Sequence, residues 1–204
     1  MWTWVGALLV LAGYWAPWVN HKSPSLVLIG FDLAEFVKFT TEFRSGTLAG
    51  VREALWVPPA AAALLLALAV VRGGKRRPLL AHGLASATGL WMAFTLLPPF
   101  PYRVPVLFSA EFRGQTVLAL VGMMACAVAF VAGPLGFVTR GPAWRTFGVG
   151  IALAGIALPL WEFAQLKPLL DGLYGRPVAL GWGVPLMVSG FLVTALAVWQ
   201  TEAH

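Results

Sequence analysis

The 204-residue chain has few charged residues. Only 11% of its residues are Asp, Glu, Lys or Arg, whereas 59% are hydrophobic. An average globular domain has about 25% charged residues, so this composition excludes an ordinary water-soluble fold. The few charges are also unevenly placed, because they are almost absent from six long apolar runs.

Cysteine and histidine are scarce, which argues against several kinds of site. The single cysteine, Cys126, cannot form an internal disulfide. The three histidines, His21, His82 and His204, are not at the spacing of metal-ligating pairs. The sequence also has no nucleophile elbow, no HExxH and no phosphate-binding glycine loop. We therefore expect no metal, no cofactor and no enzymatic activity.

Apolar sequence is abundant, and it falls into six runs. About 20 apolar residues in a helix cross the roughly 30 Å hydrocarbon core, and a helix pairs its own backbone polar groups. The pattern predicts an all-α membrane protein, a single transmembrane domain over residues 1–204 with six transmembrane helices in three hairpins. The predicted spans are residues 2–19, 54–71, 79–100, 116–138, 146–166 and 178–200.

Charge asymmetry predicts the orientation of these spans. The loops between spans two and three and between spans four and five hold six basic residues and no acidic one. The other three loops hold eight basic and seven acidic residues. Basic loops remain in the cytoplasm, so both termini are expected there, in a multi-pass protein of the bacterial cytoplasmic (inner) membrane. The basic excess therefore reflects topology, and nucleic acid is not an expected partner.

Proline lies beside aromatic residues where the three outgoing spans are expected to end. These sites are Pro17-Trp18, Pro98-Pro99-Phe100-Pro101-Tyr102 and Pro159-Leu160-Trp161. Because proline removes a backbone donor and bends or ends a helix, we expect each hairpin to turn at such a site.

Residues 20–53, here called the outer cap, are far longer than a simple connection between helices. Within them, Leu26–Phe43 is rich in apolar residues and carries most of its charges on one arc of a helix. We expect an interfacial helix there, lying on the membrane or folded over the bundle. Ser45-Gly46 should end it, and a second helix should run into span two.

A polar site with aromatic walls is predicted at the outer mouth of the bundle, because small-molecule pockets combine apolar walls with a few polar groups. Glu162 is the strongest candidate residue for this site. Placing a carboxylate near the end of a span costs free energy unless the carboxylate is paired or hydrated. The predicted ligand-binding residues are Trp161, Glu162, Trp182, Asp32 and Glu35.

A structural role is the alternative for the outer charges, because acidic and basic residues alternate closely there. Ion pairs would then hold the long first loop on the bundle, although exposed pairs contribute only ~0–1 kcal/mol each. The predicted members of this ion-pair cap are Glu42, Arg44, Arg52, Glu53, Glu111 and Arg113.

Two functions are compatible with this sequence. The first is a non-catalytic integral membrane subunit of a larger assembly, which packs against partner helices and contributes the outer cap. The lack of a soluble domain and of any catalytic motif favours it. The second is a small-solute binding or transport protein. Small residues such as Gly6, Ala12, Ala16 and Gly190 would allow close helix approach under either hypothesis.

Six spans, inside termini and a long first outer loop resemble the substrate-capturing subunits of energy-coupling-factor vitamin transporters. Ala12-x-x-x-Ala16 resembles the small-residue motif by which those subunits dock on their transmembrane partner. The resemblance is topological and extends over the whole chain. It implies a solute held by the outer aromatic residues and Glu162, with the first loop as its gate. The expected partners are the lipid bilayer, other membrane protein subunits and, under the second hypothesis, a small-molecule solute.

Overall fold

The chain is described by a computed structural model over residues 2–20, 27–47, 51–73, 79–98, 103–135 and 142–200. Within these ranges it is all-α, apart from one short pair of strands, as the pattern of apolar runs predicts. A 3₁₀ helix, Arg52–Trp56, leads directly into α4. The elements are α1 (Trp2–Tyr14), β1 (Pro17–Val19), β2 (Leu28–Ile29), α2 (Gly30–Val37), α3 (Thr41–Arg44), α4 (Val57–Gly73), α5 (Leu79–Phe94), α6 (Val104–Leu107), α7 (Arg113–Leu135), α8 (Pro142–Tyr174) and α9 (Gly183–Gln200).

Four helical segments of the described chain are long and apolar enough to cross a membrane. They are Arg52–Arg72, Arg113–Ala132, Ala143–Tyr174 and Gly183–Gln200. Their length and composition indicate a membrane-integral protein. The helices of the other two predicted spans are shorter, with 13 residues in α1 and 16 in α5. At 1.5 Å per residue these helices are about 20 and 24 Å long.

The first predicted span ends earlier than expected, because its last residues form a strand. After Tyr14 the chain turns into β1, which pairs antiparallel with β2 of the outer cap. On its other side, Val19 forms a bridge with Leu180, and the Gly181 N–H donates to the Trp18 carbonyl over 2.7 Å. Contacts far apart in sequence therefore determine the end of this helix.

α8 is longer than the predicted fifth span, and the turn expected at Pro159 does not occur there. The helix has 33 residues and continues through Pro159 and Pro168 to Tyr174. Proline is tolerated inside membrane helices when neighbouring groups satisfy the freed carbonyl. The helix ends instead before Gly175, whose φ of 64° is a left-handed conformation that favours glycine after a helix.

α4 is the central helix of the bundle. It packs against α1, α5, α7 and α8, and most of the apolar segment Arg52–Arg72, to which it belongs, is buried. A helix that is apolar on all sides is typical of a core position. The run Ala60–Ala63 is buried throughout, and its small side chains let the neighbouring helices approach α4 closely.

α1 and α9 form an extensively packed antiparallel pair, and glycines line their contact. A Cβ on Gly6 would lie 2.7 Å from the Gly190 carbonyl oxygen, which leaves no room for a side chain. Of the two alanines in the predicted docking motif, Ala16 is buried whereas Ala12 is exposed. The two do not present a common exposed face.

The outer cap has two short helices where the sequence predicts one. α2 buries Leu33, Ala34 and Val37 and packs against the 3₁₀ helix. Thr40 separates α2 from α3, because its hydroxyl accepts from the Phe43 N–H over 3.3 Å and caps α3. The predicted break at Ser45-Gly46 is confirmed, with Gly46 at a φ of 71°.

Candidate functional site

Charged residues gather at the cap end, which is the end of the bundle where α2, α3, α6 and the 3₁₀ helix lie. An open groove of about 660 Å³ lies there. It has cationic, carboxylate and aromatic walls. The residues that line it are Lys38, Phe39, Phe43, Arg44, Arg52, Glu53, Ala110 and Glu111.

Lys38 connects the outer cap to the segment before α7. It follows α2 directly, where its ammonium pairs with Glu35 one turn earlier and with Glu111 Oε1 at 3.0 Å. The ammonium also lies 5.2 Å from the Phe39 ring centroid and 5.4 Å from that of Phe112. Partial burial lowers the pKa of Lys38, but the two carboxylates outweigh burial and raise it above its usual value.

Arg52 also lines the groove, and it contacts the segment before α7 at Glu111. It is the first residue of the 3₁₀ helix, and it is only 3% exposed. Its guanidinium lies 4.6 Å from the Trp56 ring centroid, and Nη2 donates to the backbone carbonyl of Glu111. Within the described part of the chain, Arg52 Nε has no hydrogen-bond partner. Lys38 and Arg52 therefore hold Glu111 through different atoms, its carboxylate and its backbone carbonyl.

Glu162 ties α8 to the start of the 3₁₀ helix. The residue is 0% exposed, and its Oε2 accepts from the Val51 N–H over 2.8 Å. Its Oε1 has no hydrogen-bond partner among the described residues. Glu53 lies close enough to repel it, while the Glu53 side chain packs against Gly114 of α7. Burying a carboxylate with one oxygen unbonded is costly, so Glu162 is one of the costliest groups at the cap end.

Three further residues at this level were not predicted as site residues. Gln115 and Thr116 occupy the first turn of α7, and Trp56 ends the 3₁₀ helix. All three are buried, and each has a side-chain polar atom without a hydrogen-bond partner in the described ranges. Buried polar atoms are usually bonded to protein, water or ligand, so these unbonded atoms are costly to bury. Adjacent polar residues at the start of span four were the sequence signal for these residues.

The five predicted ligand-binding residues lie in different surroundings. Glu35 pairs with Lys38, and Asp32 is exposed on α2. Glu162 is buried, whereas Trp161 and Trp182 are 47% and 58% exposed. Among the described residues that line the groove, none belongs to this set.

Four of the six residues of the predicted ion-pair cap line the groove, namely Arg44, Arg52, Glu53 and Glu111. Glu42 and Arg113 do not line it. The carboxylate of Glu111 is paired by Lys38, which the predicted set lacks. The spacing of Glu35 and Lys38, three residues apart on a helix, was the signal for this lysine.

The geometry is suited to binding, because donors, acceptors and aromatic rings meet at one open groove. Among the described residues, no three His, Cys, Asp or Glu side chains are grouped so that they could hold a metal ion. Comparisons with protein-family models, with curated proteins and with solved structures found no match to this chain.

Proposed function

We propose that this protein is a non-catalytic integral membrane subunit of a larger membrane protein assembly. It crosses the cytoplasmic membrane six times in three hairpins, with both termini inside, and a partner subunit docks on the cap end. The observation that supports docking is a set of exposed apolar side chains in or near, by sequence, the segments that line the groove. We call it the outer patch, and it comprises Phe39, Val51, Val104 and Phe108.

The outer patch differs from the apolar faces of the long helices. Lipid chains cover exposed residues such as Val121 and Val128 on α7 without any partner. Phe39 and Phe108, by contrast, lie outside the four long apolar segments and are 64% and 54% exposed. Exposure of such aromatic rings to water is unfavourable, so exposed apolar patches often mark binding surfaces. Aromatic residues and arginine are both enriched in protein interfaces. Arg44, which lines the same groove, would provide a charged group for the interface with the partner.

To test whether a partner docks, the tagged protein is purified from its native membrane in mild detergent, and the proteins that accompany it are quantified. Phe39→Asp with Phe108→Asp should remove a stoichiometric partner while the variant stays folded. Val121→Asn, on a face assigned to lipid, is the matched control for surface polarity. A partner that binds the double variant as well as the wild type would contradict docking at the outer patch.

The six-span topology is supported by the basic loops and by the apolar exposed surfaces of α5 and α7. The two shorter helices are compatible with spanning, because the bilayer thins locally around short spans at a modest cost per ångström. Exposed tryptophans such as Trp15 and Trp161 would lie at the headgroup level.

Single cysteines in a Cys126→Ser background test this topology with a membrane-impermeant maleimide on intact cells. Ser45→Cys and Arg176→Cys, at the cap end, should be labelled. Ala143→Cys and Gln200→Cys, at the opposite end, should be labelled only after the cells are opened. Labelling of Ser45→Cys and Gln200→Cys from the same side would exclude six spans.

A second candidate function is the binding of a small solute in the groove. It is favoured by a volume of about 660 Å³, which lies within the usual range of small-molecule pockets. Arg44 is exposed there, and Phe43 provides an apolar wall. The solute would be a small amphiphilic anion, with its charge at Arg44 and its apolar part on the rings.

The two functions predict different results in one purification. A protein that purifies alone with a discrete small molecule, released by Arg44→Gln, would favour solute binding. A protein that purifies with stoichiometric subunits, lost on substitution of the outer patch, would favour the subunit function.

A further inference from the structure

Four exposed tryptophans are evenly spaced on α8 and α9. Trp144 lies in the first turn of α8, and Trp161 follows it 17 residues later on the same helix. Trp182 directly precedes α9, and Trp199, also 17 residues later, is the penultimate residue of that helix. All four indoles are exposed. At 1.5 Å per residue, each pair is separated by about 26 Å along its helix.

The packing of α8 on α9 aligns the two tryptophans nearer the cap end. Gly155 of α8 faces the Phe191 ring of α9, and a second contact lies seven residues toward the start of α8 and seven toward the end of α9. The two helices are therefore antiparallel. Counted from that first contact toward the cap end, Trp161 is six residues away on α8 and Trp182 is nine residues away on α9. The difference is less than one helical turn.

At the opposite end the same register brings Trp144 and Trp199 within one turn of each other. A direct contact agrees with this alignment, because the Arg145 guanidinium lies 5.9 Å from the Trp199 ring centroid. The four indoles therefore mark two levels about 26 Å apart along the helices. We call Trp161 with Trp182 the outer belt and Trp144 with Trp199 the inner belt.

Charged residues bound the same interval. On α8, residues 146–161 carry no charge, and Arg145 and Glu162 lie at the two ends of this segment. On α9, no charged residue lies between the belts. Charge is costly inside hydrocarbon, so the uncharged interval indicates the part of each helix that lipid chains surround. α8 itself continues past the outer belt to Tyr174, and its full length therefore does not measure the thickness of the membrane.

The belts are closer together than an average membrane requires. A typical hydrocarbon core is about 30 Å thick, and indoles lie at the headgroup level beside it. A helix tilt of about 20° would reduce the separation of the belts to about 24 Å. Two further helices agree, because α1 with 13 residues and α5 with 16 are about 20 and 24 Å long.

We propose that the two belts fit this protein to a thin bilayer, with a hydrocarbon core of about 24–26 Å, and that lipids with short acyl chains bind its surface more tightly than lipids with long ones. In a thicker membrane the surrounding lipids must compress to keep the indoles at the headgroups, at a cost that rises with chain length. The preference requires insertion of α8 and α9, but neither a docking partner nor an occupied groove.

Fluorescence quenching by brominated lipids tests this preference on the purified full-length protein. The protein is reconstituted in mixtures of dibrominated dioleoyl phosphatidylcholine with an unbrominated phosphatidylcholine that carries myristoleoyl, palmitoleoyl, oleoyl or erucoyl chains. The recovery of tryptophan fluorescence gives the relative affinity for each unbrominated lipid. The lipid that binds most tightly should have chains shorter than oleoyl, and it should bind about twofold more tightly than the erucoyl lipid.

Tightest binding of the oleoyl or erucoyl lipid, or equal binding of all four, would overturn the proposal. These outcomes leave the docking of a partner untouched, because no partner is present in the assay. A protein whose fluorescence the brominated chains do not quench at all would contradict membrane insertion, and with it the six-span topology.

Two double variants test whether the belts cause the preference. Trp161→Leu with Trp182→Leu removes the outer belt and should weaken the preference for short chains. Leu153→Val with Leu192→Val is the matched control, since it changes exposed side chains of the same two helices near the middle of the interval. It should keep the preference of the wild type. An equal preference in the two double variants would overturn the role of the belts.

Discussion

Gly13 of α1 and Gly183 of α9 meet backbone to backbone, since a Cβ on Gly13 would lie 2.6 Å from the Gly183 carbonyl oxygen. Gly6 and Gly190 repeat the contact seven residues away on each helix, so one face of each helix is used throughout. Lipid provides no hydrophobic force between helices, and close packing of small residues therefore contributes much of their association.

Gly13→Ala should lower the free energy of unfolding by about 1–3 kcal/mol, because the added methyl group meets backbone atoms that cannot move aside. Gly150→Ala is the matched control on α8, where a Cβ would meet nothing within 4 Å. It should be neutral or stabilising by up to about 1 kcal/mol, since alanine favours helix. Unfolding in mixed micelles with increasing denaturing detergent measures both. Equal effects of the two substitutions would contradict close packing of α1 on α9.

Glu162→Ala should destabilise the protein by about 1–3 kcal/mol, because it removes the charged acceptor of the part-buried bond from the Val51 N–H. Glu162→Gln keeps an acceptor oxygen and removes a buried charge near Glu53, so it should stay within about 1 kcal/mol of the wild type. The same unfolding assay compares the two. If glutamine is as damaging as alanine, the charge of Glu162 is itself required.

Lys38 and Glu111 should show a small coupling energy in a double-mutant cycle of Lys38→Met and Glu111→Gln. We expect about 0.2–1 kcal/mol, because the Glu111 carboxylate is half exposed. Glu111→Gln leaves the contact of Arg52 intact, since Arg52 bonds to the backbone carbonyl. The coupling should decrease in 1 M salt, where the screening length is about 3 Å. A coupling energy that 1 M salt leaves unchanged would show that the interaction between Lys38 and Glu111 is not ionic.

The contribution of Lys38 to stability should disappear only at alkaline pH. Its pKa is raised in the folded protein, so the contribution is fully present below the unfolded-state pKa of about 10.4 and is lost as the pH rises through the higher folded value. The difference in unfolding free energy between wild type and Lys38→Met should be constant near pH 7 and shrink above about pH 10.5. A difference that falls between pH 7 and 9 would contradict this.

Cys126 should not react with maleimide in the native bundle. The thiol is buried on α7 and donates to the Ala63 carbonyl of α4 over 3.5 Å. Because it is the only cysteine, its labelling rate reports how often α7 separates from α4. Gly89→Ala places a methyl group against the sulfur and should speed labelling, whereas Gly83→Ala, where a Cβ meets nothing within 4 Å, should not. Rapid labelling of the wild type would show that the helices separate readily.

Local sequence determined the class of this protein, because hydropathy and the shortage of charge are properties of each segment alone. Long uncharged runs predict apolar helices, and four of them are long enough to cross a membrane. The break at Gly46 was also predictable, since a left-handed φ strongly favours glycine. Small residues such as Gly6 and Gly190 indicated close helix approach, but the sequence did not show that α1 meets α9 or which glycines meet.

Tertiary structure alone decided where elements end and which charges meet, because both depend on residues far apart in the chain. α8 continues through Pro159, and β1 replaces the end of the first predicted span through its pairing with β2 and Leu180. Arg52 reaches the Glu111 carbonyl rather than a carboxylate. A list of outer charges cannot distinguish such partners, since the 59-residue separation between Arg52 and Glu111 is closed only when α7 packs beside the 3₁₀ helix.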